Sequence, residues 1–235
     1  MKKFWITMNI IYEKVMLVVF ILALLIVCYG LYDTWYVYDK AKDDSFKRYK
    51  PVVGEAPVPE EAPITEDMVA WVTIDDTNID YPVMQGEDNS AYLNKNPYGE
   101  YSLSGSIFLD SRNKKDFSDD YSILYGHHME YGNMFGALDE FLSVNYLTSH
   151  SHGTLILGRD GRKSCKLGVF ACMKVNVFDN QVLDPVPYDT IMERINRDSV
   201  SLNTSIRKSN RILALSTCTE PVSSNRLLVF CYVYD

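Results

Sequence analysis

Val15 to Tyr32 reads VMLVVFILALLIVCYGLY, 18 residues without a charge. As a helix rising about 1.5 Å per residue this run covers roughly 27 Å, close to the ~30 Å hydrocarbon core of a bilayer. Lys2, Lys3 and Lys14 precede it, and positive charge on that flank predicts a cytoplasmic N-terminus and an exported remainder. Tyr29, Tyr32, Trp35, Tyr36 and Tyr38 follow at the other end, as an interfacial aromatic belt would. A cleaved signal peptide needs small residues at its processing site, and Ile26-Val-Cys-Tyr-Gly30 is a poor one. The expectation is an uncleaved, single-pass anchor in the cell membrane.

Three Lys and one Glu up to residue 32 give that part +2, so with −8 for the whole chain the remainder carries −10. Such an acidic balance excludes a nucleic-acid binder, which needs a basic face against phosphates. The apolar fraction of 47% is enough for a real core and excludes a mainly disordered chain. Five scattered cysteines do not make a disulfide scaffold.

Composition divides the chain. Residues 1–14 form a cytoplasmic N-terminus and 15–32 the anchor. Residues 33–64 begin as a polar, aromatic-studded stretch with helical character. They then pass through Pro51, Pro57, Pro59 and Pro63, whose missing donors and fixed φ make a semi-rigid linker. Residues 65–235 carry the folded domain. Its short apolar runs, Trp71–Ile74, Ser106–Leu109, Tyr121–Tyr125, Thr154–Leu157, Leu167–Phe170, Arg211–Thr217 and Leu227–Tyr234, are bounded by turn residues and read as strands. Asp160-Gly161 predicts a type I′ hairpin. Met134–Leu142 and Tyr188–Leu202 read as helices. Many short strands and few helices predict a mainly β chain closing into a barrel.

Cys218 ends the run Leu213-Ala-Leu-Ser-Thr-Cys218. Strand alternation puts Ser216 and Cys218 on one face, and Thr219-Glu-Pro221 breaks the strand just beyond. If the last two runs pair as a hairpin, Arg226 lies near the same rim, and an adjacent cation favours the thiolate. A Cys nucleophile also needs a proton carrier, and Gly126-His127-His128 follows a strand. His150-Ser-His152 sits in a polar loop and supplies two metal ligands where a structural zinc needs four, so no metal is expected. Cys165, Cys172 and Cys231 read as core residues.

Together these residues resemble a class B sortase, from the cysteine transpeptidases of Gram-positive bacteria. Leu215-Ser-Thr-Cys218 with Arg226 after it is similar to the family's T-L-x-T-C…R motif, and the departure at 213–214 touches packing rather than reacting groups. Tyr125-Gly-His127-His-Met129 with Met134-Phe-Gly136 resembles the segment of the catalytic histidine, which directly follows the Gly. Asn78–Val83, Asp88–Leu93 and Gly105–Asn113 match further blocks in order.

The resemblance implies an eight-stranded sortase-type β-barrel with N-terminal helices and a helix-containing loop before the Cys-bearing strand. It implies that Cys218 attacks the Thr carbonyl of a C-terminal sorting signal on an exported protein, giving a thioacyl-enzyme. An amine of a peptidoglycan cross-bridge or a pilin lysine would resolve it. His127 becomes general acid and base, and Arg226 the oxyanion and carbonyl clamp. Ser216, Thr217, Asn89 and Leu93 become substrate-binding candidates. No cofactor is implied. The alternative is a non-catalytic, membrane-anchored adhesin or scaffold on the same barrel, which leaves Cys218, His127 and Arg226 without a task.

Overall fold

Strand β1 (Met68–Ile74) is buried at six of its seven positions, as a strand covered on both faces must be. It pairs antiparallel with β2 (Asp80–Met84). β2 contains Pro82, which lacks a donor, yet Pro82 is paired only on the β1 side. The parallel ladder to β3 (Ile107–Leu109) starts one residue later, at Val83. β3 pairs with β4 (Tyr121–His127), β4 runs parallel to β8 (Ile212–Cys218), and β8 turns antiparallel to β9 (Asn225–Tyr234). Between β4 and β8 come β5 (His152–Leu157), the long β6 (Lys163–Asn176) and the two-residue β7 (Ser201–Leu202).

The resulting order is β5-β1-β2-β3-β4-β8-β9-β6, with β6 returning to β5. Eight strands therefore close a barrel, and β7 adds a short edge to β6. Trp71, Phe135, Phe141 and Phe230 are completely buried within it. The structure is a computed structural model and describes residues 2–41, 44–54, 62–218 and 224–235. Pro57 and Pro59 of the proline-rich stretch, and the strand break expected at 219–221, lie outside the described residues.

Helix α1 (Lys2–Ala41) is a unit of its own. Its apolar window has a mean hydropathy of 2.8, long and apolar enough to cross a membrane. At about 1.5 Å per residue the helix is roughly 60 Å long, so it continues well past the 18-residue core into the polar stretch after Asp33. In the second unit a 3-10 turn, Ser45–Tyr49, buries Phe46 against Trp71 and Tyr81, with ring centroids 5.9 and 5.7 Å away. Lys50 then reaches the Asp80 carboxylate at 2.7 Å, which also accepts from Trp71 Nε1 and Thr73 Oγ1.

Several local expectations need correction. Asp160-Gly161 lies in a hairpin between β5 and β6. The connection, however, is five residues with Gly158 and Gly161 at positive φ, not a two-residue type I′ turn. The segment from Met134 becomes a 3-10 helix only from Gly136 to Leu142, because Met134 itself takes φ 50°. A short helix α2 (Val144–Ser149) follows where no helix is expected. The helix-containing loop before β8 is present as α3 (Asn180–Leu183) and α4 (Tyr188–Asp198). α4 stops before Ser201 and Leu202, which pair with Cys172 and Ala171 of β6.

Candidate active site

Three neighbouring strands end together on one rim of the barrel. The parallel register of β4 and β8 runs from Tyr121 opposite Ile212 to His127 opposite Cys218. The antiparallel register of β8 and β9 sets Ser216 opposite Leu228, and Leu227 N–H donates to Thr217 Oγ1 at 3.0 Å one step further. The ladder itself stops at Ser216, and Arg226 is the residue of β9 just before Leu227. His127 and Cys218 are thus cross-strand partners at the ends of β4 and β8, and Arg226 stands near the start of β9, the next strand of the sheet. The pairing of His127 with Cys218 follows from chain register alone.

His127 is held on both sides. Its carbonyl accepts the Phe135 N–H at 3.0 Å, and its Nε2 lies 2.7 Å from the Leu93 carbonyl. A carbonyl only accepts, so Nε2 carries the proton and donates it; Nδ1 is left as the nitrogen that can take up or release one. Gly126, the residue before, is required by close approach. A Cβ there would lie 2.8 Å from Phe135 Cδ2 and collide with Ile107 Cδ1. His128 points elsewhere, with Nε2 2.8 Å from the exposed Asp139 carboxylate.

Arg226 lies with its guanidinium carbon 5.5 Å from the centroid of the Tyr125 ring. A cation over an aromatic face gains roughly 0.5–2 kcal/mol. Its Nε is buried and has no hydrogen-bond partner among the described residues. An orphaned buried donor is costly, on the order of 1–3 kcal/mol.

The substrate-binding candidates divide. Leu93 is brought to His127 through its carbonyl. Asn89 is half-buried, and its amide is engaged at both ends, donating to Asp110 Oδ2 at 3.0 Å and accepting from Ser111 N at 2.7 Å. Ser216 is fully buried, in register with Tyr125. Thr217 is buried and pins β8 to β9 through Leu227, a cross-link rather than a groove contact. The residues that sequence reasoning passed over are Tyr125 as the shelf under Arg226, and Asp110 with Arg112. The signal was present: Asp110 and Arg112 stand two apart where β3 ends.

The remaining thiols are of another kind. Cys165, Cys172 and Cys231 are buried and free, with no disulfide between them. Burial pushes the Cys172 thiol up to about 12, and raises Cys165 and Cys231 as well. His150 stacks on Tyr146 at 3.8 Å as α2 ends, and His152 opens β5. Among the described residues no three His, Cys, Asp or Glu side chains gather as a metal cluster.

Residues 72–233 match the sequence profile of the Sortase domain family. Sortase B of Listeria monocytogenes is 32% identical over 160 residues, which are 66% of this chain and 64% of that protein, so the match spans less than two thirds of the relative's length. The barrel superposes on a Streptococcus pyogenes class B sortase involved in pilus biogenesis with TM-score 0.66 and 36% identity, covering 72% of this chain and 93% of that one. Staphylococcus aureus sortase B, solved with its substrate and with triglycine, matches with TM-score 0.66 and 29% identity over 73% of this chain and 82% of that one.

Proposed function

The chain belongs to the sortase family, class B, and from that premise we propose that it is a membrane-anchored cysteine transpeptidase acting on C-terminal sorting signals of exported proteins. The observation that supports the reading is His127 in register with Cys218 across β4 and β8, with the Arg226 guanidinium of β9 over the Tyr125 ring of β4. Cys218 as thiolate attacks the carbonyl of the scissile Thr. The electron pair moves to oxygen, and Arg226 stabilises that oxyanion with a donor that otherwise has no partner among the described residues. The intermediate collapses as His127 protonates the departing amine from Nδ1, leaving a thioester. An incoming amine gives its proton to the same nitrogen, attacks the thioester and releases the thiolate.

The amine belongs to a peptidoglycan cross-bridge or a pilin lysine. The complex of Staphylococcus aureus sortase B with triglycine supports the first, and the pilus role of the Streptococcus pyogenes enzyme supports the second. Lys2, Lys3 and Lys14 before the apolar core of α1 support a cytoplasmic N-terminus with the barrel outside. A non-catalytic adhesin or scaffold gives no reason for an orphaned guanidinium donor on the strand beside a paired histidine and cysteine.

The test is turnover of a sorting-signal peptide library by the full chain in detergent, with triglycine and with a lysine-bearing pilin peptide as acceptors. The expected product is the peptide, cut after Thr, joined to one acceptor class. Absence of any cleavage across the library, by folded protein, would contradict the reading.

A further inference from the structure

We propose that Asp110 is a positioning residue for Arg226 of the candidate site, acting through Tyr125; the inference rests on the transpeptidase reading above. Asp110 follows β3 directly and is completely buried. Its two carboxylate oxygens receive five donors. Arg112 supplies three, from N and Nε to Oδ1 at 2.9 Å each and from Nη2 to Oδ2 at 2.8 Å. Asn89 Nδ2 and the Tyr125 hydroxyl supply the others, to Oδ2 at 3.0 and 3.2 Å. Burial alone would raise this carboxyl, but the Arg112 guanidinium and amide and the Asn89 amide more than offset that and hold it below the usual range. It is therefore a charged hub at neutral pH.

Neutralising a buried carboxylate needs only Arg112. The two further donors come from Asn89, in the segment before β3, and from Tyr125 of β4. Tyr125 shares its hydroxyl proton between Asp110 and the Leu183 carbonyl, 3.1 Å away. Those two acceptors fix the far edge of the ring, and Phe108 packs against its face at 5.5 Å between centroids. The ring so fixed is the surface on which the Arg226 guanidinium lies. Arg112 also reaches Asp184 at 2.7 Å, so the same hub holds the segment between α3 and α4 against the rim. Without Asp110 the Tyr125 ring keeps its burial but loses one of two anchors. Arg226 then samples a wider range of positions, and an oxyanion donor displaced by a fraction of an ångström stabilises less.

A purely structural ion pair would lower stability and leave the folded enzyme's kcat alone. A positioning role predicts dependence on Arg226. The full chain in detergent is compared as wild type, Tyr125→Phe, Asp110→Asn and Arg226→Lys, and as each of the first two combined with Arg226→Lys. Sorting-peptide cleavage is read as kcat and KM separately, on protein confirmed folded by its unfolding midpoint. Tyr125→Phe keeps the ring and the Asp110–Arg112 pair, so it serves even if Asp110→Asn does not fold. Each substitution should lower kcat by roughly tenfold, the weight of one charged hydrogen bond, with KM within about twofold. In the Arg226→Lys background the same substitution should change kcat by less than about twofold, because the group it acts through is gone. Full loss persisting in that background, or unchanged kcat in a folded single variant, overturns the inference while the transpeptidase reading stands. A wild-type chain without any cleavage overturns both.

Discussion

Cys231 and Cys218 sit on paired strands of one barrel and have opposite prospects. Cys231 lies mid-strand on β9, opposite Leu213 of β8 and Val169 of β6, and is completely buried. Desolvation alone raises its thiol far out of the range in which a thiolate forms. Cys218 is the last residue of β8, in register with His127. The ladders are the same; the position along them differs. Interior rows of these three strands are filled by completely buried residues such as Ile123, Ala214 and Phe230. The end row is where polar side chains can be held by the sheet and still meet a substrate.

Substitution breaks this contrast most directly. Cys218→Ala should abolish peptide cleavage, whereas Cys231→Ala should keep kcat within about twofold and lower the unfolding midpoint, as loss of a buried side chain does. Equal turnover by the two variants would remove the distinction. Next in size, His127→Ala should lose roughly 10²–10⁴ in kcat, the range for a general acid–base group. His128→Ala should stay near wild type, because His128 is turned to Asp139. Arg226→Lys keeps the charge but loses the fork and Nε. It should raise the transition-state barrier by about 2–4 kcal/mol, read as kcat/KM on the same peptide.

The smallest effect is in acid. Burial pushes the Asp80 and Asp110 carboxyls up, but their bonds to Lys50, Trp71 and Thr73, and to Arg112 and Asn89, prevail and leave both lowered. A carboxyl depressed on folding stabilises above its unfolded pKa of about 3.9, and that contribution is lost as pH falls through the folded value. Stability in urea should therefore hold from neutral pH to about 4 and drop below it. Asp110→Asn should flatten that drop; an unchanged slope would mean the carboxylate is not ionised in the fold.

What was legible in the sequence follows the range of the interactions involved. The candidate trio was legible because each member ends or opens an apolar strand run, marked in the sequence by Gly126, by the residues after Cys218 and by Arg226 before Leu227. The strand β2 was harder, since Pro82 argues against a strand unless it is known that only one neighbour pairs there. Ser201 and Leu202 continue a helical pattern locally, and only β6 draws them into a ladder. The hub at Asp110 joins residues 89, 110, 125 and 184, which no local pattern connects. Thr217, next to the proposed nucleophile in sequence, is held by β9 for the same long-range reason.

The central claim, that Cys218 is the thiol poised to react, is tested by trapping the intermediate. Full chain is incubated with a cleavable sorting peptide and no amine, then digested and analysed by mass spectrometry. The expected result is an acyl adduct on Cys218 alone, discharged on adding the acceptor amine. An adduct on Cys165, Cys172 or Cys231, or cleavage that persists in Cys218→Ala, would contradict it.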